Sequence, residues 1–305
     1  MEATEVRRAY DGSQLSYRCL QACGWGELAN LGYYPLWATP LLLGGLAHFQ
    51  RRLARQAIRL LDPRPGQRVL DVATGMGWTA REISRSGATV LGIDLLPENV
   101  ARARDRHGHR QRDGADGRVH FGVGDATRLP AEVDGVALES ASVDRVLCLE
   151  AAFEFGPKGR RDFLAEAFRV LRPGGRLVLV DFAWPTDRPH EIADYDDGGL
   201  VRETWQFEEF EPLERYRRSA REVGFREARL LDWTALVTRR FVWIAWMMAM
   251  LCQYRLPRLV FALFRPGVFK LWNEDWAHLR EVMRVHRKVQ QASMYVALVL
   301  EKPEA

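Results

Sequence analysis

Cysteine is scarce in this chain: four residues in 305, at Cys19, Cys23, Cys148 and Cys252, with no Cys-x-x-Cys pair. That spacing excludes a zinc ribbon and a thioredoxin-type redox site, and nothing else in the sequence suggests a metal site. Cys19-x3-Cys23 falls short of a radical iron–sulfur motif, because Gly26 stands where a third cysteine belongs. Unpaired, reduced thiols fit a cytoplasmic protein. Long apolar runs are also missing. The longest, Phe241 to Cys252, has 12 residues, against about 20 for a spanning helix. Its continuation is broken by Arg255, Pro257 and Arg258. The opening residues, MEATEVRRAYDGSQLSY, hold no apolar stretch of the signal-peptide kind. Charge of one sign is nearly absent as an excess: 44 Lys plus Arg against 40 Asp plus Glu leave +4. The densest basic stretch, Arg102 to Arg118, is interrupted by Asp105, Asp113 and Asp116 and carries no aromatic residue. It offers no platform for base stacking, so no nucleic-acid partner is expected.

What is present points to a folded α/β protein: 47% of the residues are hydrophobic, enough for a substantial core. Residues 1–60 read as helical, with Leu46, Leu53, Ala57, Leu60 and Leu61 on one face and arginines opposite. Asp62-Pro63-Arg64-Pro65-Gly66 stops that pattern. Apolar β-type runs then alternate with helical stretches. The runs are Arg68–Val72, Thr89–Ile93, Val119–Val123, Val143–Leu149 and Arg176–Phe182, and the helices lie near 78–86, 97–107 and 158–171. This alternation predicts a doubly wound, Rossmann-like parallel sheet. A short helix over Glu214–Val223, capped by Gly224, leads to a sixth strand at Phe225–Trp233. Ser293–Glu301 reads as an antiparallel final strand, and the roughly 60 residues between these two strands are too many for a loop. The expected organisation is a helical cap over 1–60, a core over 61–233 and 293–305, and a hydrophobic helical lid over 234–292.

The central motif runs Asp71-Val72-Ala73-Thr74-Gly75-Met76-Gly77-Trp78, a strand feeding a glycine-containing turn that opens a helix. Gly75 and Gly77 allow close approach of the backbone to a ligand, and the helix start presents free N–H groups. Gly75-x-Gly77-x-x-Ala80 alone also satisfies a dinucleotide fingerprint. Three downstream features decide against that reading. Asp94 ends the second strand, Gly124-Asp125-Ala126 follows the third, and Leu171-Arg172-Pro173-Gly174-Gly175 precedes the fifth.

In that order the four elements resemble the class I S-adenosylmethionine-dependent methyltransferases, closely over residues 60–183. The resemblance implies S-adenosylmethionine as cofactor. Asp71, Ala73, Gly75 and Gly77 form the turn beneath its methionine moiety. Asp94 and Leu95 lie at the ribose, Asp125 and Ala126 at the adenine, and Leu149 ends the fourth strand. Asn30-Leu31-Gly32-Tyr33-Tyr34 is similar to the segment with which the small-molecule branch covers the cofactor, so Tyr33 closes over the methionine end or packs the N-terminal helices. Ala73 departs from the family's usual glycine, and its methyl group is tolerable if its φ is negative.

Leu149-Glu150-Ala151-Ala152-Phe153-Glu154-Phe155 lacks the Asn/Asp-Pro-Pro-Tyr/Phe motif of amino-purine and amide methyltransferases. Glu150 is instead similar to the acid of the small-molecule branch, which includes quinone and natural-product O-methyltransferases. The histidine that sugar O-methyltransferases of that branch carry after this acid is replaced by Phe153 and Glu154, whereas their second acid is matched by Asp181. A sugar hydroxyl needs a strong base, while an enol, phenol or carboxylic acid ionises readily and needs mainly positioning. The expected reaction is therefore methyl transfer to such an oxygen on a hydrophobic small molecule of secondary metabolism. Asp181, Glu150 and Glu154 are the candidate catalytic carboxylates, and His190, His278 and His286 are further bases. C-methylation of a polyketide, quinone or isoprenoid stays open, as does a non-methylating, cofactor-binding cyclase or binding module. Seven of the ten tryptophans lie at or beyond Trp184. They point to an apolar substrate pocket, with contact to a membrane surface, or to a second copy of the chain, as the other use of so apolar a lid.

Overall fold

Parallel pairing begins in short strands centred on buried valine, leucine and isoleucine. β1 (Arg68–Val72) pairs in parallel with β2 (Thr89–Asp94), Leu70 facing Leu91, and with β6 (Val143–Leu149), Leu70 facing Val146. These strands are buried on both faces, which is why they read as continuous apolar runs. β3 (Val119–Val123) pairs with β2, and β7 (Leu171–Trp184) with β6, again in parallel. β4 (Glu132–Val133) and β5 (Val136–Ala137) form a separate hairpin. The main sheet runs β3-β2-β1-β6-β7-β10-β9, with β10 (Met294–Glu301) as the antiparallel final strand, β9 (Arg226–Asp232) at one edge, and β8 (Glu211–Pro212) beside β7. Arg226, Glu227 and Arg229 charge that edge and discourage pairing with another chain. The sheet starts β7 five residues before Arg176, because Gly174 and Gly175 exchange backbone hydrogen bonds of 2.9 Å with Lys302 beyond β10.

The helices of the crossovers are α3 (Trp78–Ser84), α4 (Pro97–Ala103) and α5 (Gly156–Val170), and α7 (Leu213–Val223) ends at Gly224 in the left-handed region. Phe163, Leu164 and Ala167 of α5 and Tyr216 and Ala220 of α7 complete one core with Leu70, Val146 and Leu179 of the strands. The remaining helices are α1 (Leu15–Ala22), α2 (Ala47–Leu61), α6 (Leu200–Trp205), α8 (Thr238–Cys252), α9 (Arg255–Phe264) and α10 (Asn273–Ala292). The computed structural model describes residues 15–36, 45–108, 117–185, 191–205 and 207–304.

The chain divides into two compact units. One comprises 1–53, 183–210 and 232–295, the other 54–182, 211–231 and 296–305. This grouping differs from a linear cap, core and lid chiefly at residues 183–210, which join the helical unit, and also at 54–60, which join the sheet unit, and at 232–233 and 293–295, which join the helical one. The cause is local packing. Trp184 lies against Tyr195 and Phe210 at centroid distances of 5.7 and 5.4 Å, Trp205 lies edge-on to His286 of α10, and Lys288 pairs with Asp197 at 2.5 Å. All four cysteines are buried and free. Burial pushes the Cys19 thiol up to about 12 and that of Cys252 up to about 11, and it raises those of Cys23 and Cys148 well above the ordinary value.

Candidate active site

The sheet unit gathers the candidate polar residues at the C-terminal ends of β1, β2, β3, β6 and β7. Asp71, on β1 and 3% exposed, accepts a hydrogen bond from the Thr74 hydroxyl at 2.6 Å. Burial raises its carboxyl to about 7, against the lowering effect of Thr74. Across the turn, Asp94 accepts from the Gly75 N–H at 2.8 Å through one oxygen. Through the other it accepts from the Leu96 N–H at 3.0 Å and the Asn99 amide at 3.1 Å. One carboxylate therefore ties the glycine turn to the start of α4, and burial raises its pKa despite these donors.

Two glycines have opposite reasons for being glycine. A Cβ at Gly77, with φ of 82°, would meet the Phe121 ring at 2.7 Å and Ala103 at 2.9 Å, so the turn there is packed shut. At Gly75, with φ of 55°, a Cβ would meet nothing within 4 Å. Ala73 has a φ of 55°, which corrects the expectation of a negative angle. The turn is left-handed at this position regardless of the residue, and the alanine methyl bears that strain. We expect Ala73→Gly to change stability by less than about 1 kcal/mol, because relief of strain offsets the added chain entropy, and Ala73→Val to lower it by about 1–2 kcal/mol. Thermal unfolding of the two variants measures both.

Asp125 is exposed after β3 and accepts from the N–H and hydroxyl of Thr127, both at 2.8 Å, in a local turn. Beside it Val123 is an exposed apolar side chain, while Ala126 is buried. Leu149 is half-buried at the end of β6, and Glu150, which follows it, is buried with a positive φ of 49°. Glu154 is half-buried, its N–H donating to the Ala151 carbonyl at 3.0 Å. The open volume in front of Gly75, the Asp94 carboxylate, the exposed Val123 and the Asp125 turn suit a nucleoside carrying an amino-acid tail.

Asp181, at the end of β7 and 1% exposed, accepts from the Phe182 N–H at 2.8 Å and from the Tyr216 hydroxyl at 3.2 Å. Burial raises its carboxyl to about 7, partly opposed by the Phe182 N–H, Arg160 and Tyr216. Sequence reasoning missed Arg160 and Glu211, a buried ion pair at 2.8 Å. The Arg160 guanidinium also donates to the carbonyls of Ala152 at 3.0 Å and Phe153 at 2.8 Å, fixing the segment that follows β6. The available signal was an arginine one helical turn before Phe163 and Leu164 on an apolar face. Folded Asp71 and Asp181 hold protons that the unfolded chain releases near pH 4. Stability should accordingly fall as pH rises from about 4 to about 7, and Asp181→Asn should flatten part of that slope in denaturant titrations.

Tyr33 belongs to the helical unit, where it lies edge-on to Trp233 at 5.8 Å. The neighbouring Tyr34 stacks on Phe49 at 4.5 Å and donates to the Leu31 carbonyl. His286 is buried among Trp205 and Phe241, and burial lowers its pKa to about 4, leaving a neutral ring. Trp25 joins this cluster, 6.1 Å from Trp205 and 5.6 Å from Phe241. Trp25 Nε1, Trp205 Nε1 and His286 Nδ1 are buried there without a hydrogen-bond partner among the described residues. His278 is exposed on α10, and His190 lies outside the described residues. The helical unit also holds an apolar pocket of about 350 Å³ lined by Tyr34, Phe49, Trp243 and Ile244, with Arg239 and Arg240 at its wall.

Residues 69–175 match a family model described as a methyltransferase domain. The chain is 32% identical over 215 residues to the erythromycin 3''-O-methyltransferase of Saccharopolyspora erythraea, covering 66% of this chain and 62% of that one. It is 38% identical over 157 residues to the demethylmenaquinone methyltransferase of Deinococcus radiodurans, covering 50% of this chain and 56% of that one. The chain thus spans about three fifths of the length of these curated relatives. Its fold is similar to that of a geranyl diphosphate C-methyltransferase from Streptomyces coelicolor crystallised with S-adenosyl-L-homocysteine, with a TM-score of 0.66 at 14% identity over 98% of this chain and 96% of that one. Residues 69–175 are thus a methyltransferase domain, of the class I S-adenosylmethionine-dependent type whose motifs the glycine turn resembles.

Proposed function

We propose that this protein transfers a methyl group from S-adenosylmethionine to an enol, phenol or carboxylate oxygen of a hydrophobic small molecule. The observation that carries the choice of acceptor is the pair formed by Phe153 and Phe182, edge-on at 5.4 Å beside the buried Asp181. An apolar ring stands where a histidine base would serve a poorly acidic hydroxyl, and the nearby carboxyl has the basicity to take a proton from an acidic one.

In this reading the turn from Asp71 through Ala73 and Gly75 to Gly77 holds the methionine end. Asp94 with Leu95 binds the ribose, and Asp125, Ala126 and Leu149 border the adenine. The cofactor supplies an electrophilic sulfonium methyl when bound. Arg160 keeps the Ala152–Phe153 backbone in place, so that Glu150 and Glu154 are presented on a fixed segment. Asp181 accepts the acceptor's proton at its carboxylate. Proximity and orientation of the ionised oxygen account for roughly 7–11 kcal/mol of barrier reduction.

The test is S-adenosylhomocysteine release with a panel of phenols, enols, carboxylic acids and sugar alcohols. Turnover confined to the sugar alcohols would overturn the proposal. A carbon-bound methyl in the isolated product would assign the C-methylation reading, which the Phe153 and Phe182 rings favour through their capacity to face a developing cation. Tight cofactor binding without turnover of any acceptor would assign the non-methylating reading. Asp181→Asn is expected to lower turnover of a phenol about 100-fold and leave S-adenosylhomocysteine affinity unchanged. In the unmodified protein, turnover of an acceptor that stays protonated should rise with pH through about 7 as Asp181 ionises.

A further inference from the structure

Helix α9 is built inside out. Leu256, Leu259, Val260, Leu263 and Phe264 recur at helical spacing and form one stripe, and all five are exposed, Leu256 at 72% and Leu263 at 81%. A helix packed on a protein core turns such a stripe inward; here it is Ala262 that is buried. The exposed apolar surface extends beyond α9 to Tyr254 before it and to Phe269 and Trp272 after it. Patches of this kind mark an interaction surface.

Its charge identifies the partner. Residues 233–273 contain Arg239, Arg240, Arg255, Arg258, Arg265 and Lys270 and no Asp or Glu. These six cations exceed the excess of the whole chain, so the remainder carries 38 cations against 40 acids. Arg255 and Lys270 are exposed at the two ends of the apolar stretch. A second copy would bring the same stretch against this one, with the exposed Arg255 and Lys270 of each facing a net positive surface. An anionic bilayer offers complementary charge and an apolar interior at the depth such a stripe reaches, with tryptophan and tyrosine suited to the headgroup boundary. No helix among the described residues is long and apolar enough to cross a membrane.

We infer that α9 and the residues around it dock this protein on anionic lipid bilayers, with the axis of α9 in the plane of the interface and Leu256, Leu259 and Leu263 inserted. The inference goes beyond the transfer reaction and does not depend on which atom of an acceptor is methylated.

The test is co-sedimentation of the full chain with vesicles of phosphatidylcholine alone and with 30% phosphatidylserine. Binding is expected on the anionic vesicles and at least tenfold weaker on the neutral ones, and it should weaken as salt is raised. Leu256→Glu with Leu263→Glu should lower the partition coefficient at least tenfold. Arg255→Glu with Lys270→Glu should lower it at least tenfold on the anionic vesicles only. S-adenosylhomocysteine affinity, measured on the same samples by calorimetry, reports folding of each variant and tests the cofactor assignment separately. No partition into either vesicle, or equal partition into both, would overturn the inference. So would a homodimer that Leu256→Glu with Leu263→Glu dissociates, since the face would then belong to a second copy.

Discussion

Arg160→Met is expected to destabilise the sheet unit by about 3–5 kcal/mol, the usual consequence of leaving one member of a buried ion pair without its partner. Glu211 is 4% exposed and would keep only Arg215, at 3.4 Å, as a counter-charge. The carbonyls of Ala152 and Phe153 would each lose the guanidinium as a donor, which adds to the cost. Arg160→Met with Glu211→Leu should recover most of the loss, because two apolar side chains of similar length leave no orphaned charge. Denaturant unfolding of the single and double variants checks both. The double variant should remain impaired in turnover even where its stability recovers, since the segment bearing Glu150 and Glu154 loses the guanidinium that holds it. Full activity in the double variant would reduce Arg160 to a structural residue.

Asp94→Ala should weaken S-adenosylhomocysteine binding by about 2–3 kcal/mol in calorimetry, a loss of roughly 30- to 150-fold in affinity. Two effects combine. On the proposed assignment the ribose loses a charged acceptor, and the Gly75 N–H, the Leu96 N–H and the Asn99 amide lose theirs, so the turn itself is released. Asp94→Asn separates the two effects: it retains one carbonyl acceptor for the turn and removes the charge. Unchanged affinity in Asp94→Ala would remove this residue from the cofactor site.

Much of the sheet was legible because the parallel strands centre on Val, Leu and Ile and are separated by helical stretches and turn residues. β1, β3 and β6 fall on the residues their patterns indicate, and Gly224 ends α7 as its position implied. The glycine turn, Asp94 and Asp125 were legible as motifs, and they fall at the C-terminal ends of β1, β2 and β3. The backbone of Ala73 was not, because a residue's identity does not state its φ, and an alanine argues for the wrong sign. The network of Asp181, Tyr216, Arg160 and Glu211 was out of reach for another reason. Its hydrogen-bonded pairs stand up to 51 positions apart in the chain and meet only after the sheet and two helices have packed. α9 shows the third kind of failure. Periodicity reports that an apolar stripe exists, but it does not report which way the stripe faces. Linear boundaries hid the grouping of 183–210 with the helical unit, since Trp205 and Asp197 find their partners, His286 and Lys288, far along the chain.

The placement of the sulfur atoms equips the molecule with two internal clocks. Cys148 sits in the sheet unit, and Cys19, Cys23 and Cys252 sit in the helical one, all sealed and held as thiols. A thiolate is the reactive form, so a native molecule should resist alkylation and oxidants, and each modification event must wait for the surrounding structure to open. Mass-resolved labelling of Cys148 against the other three would thus time the opening of each unit without any engineered probe.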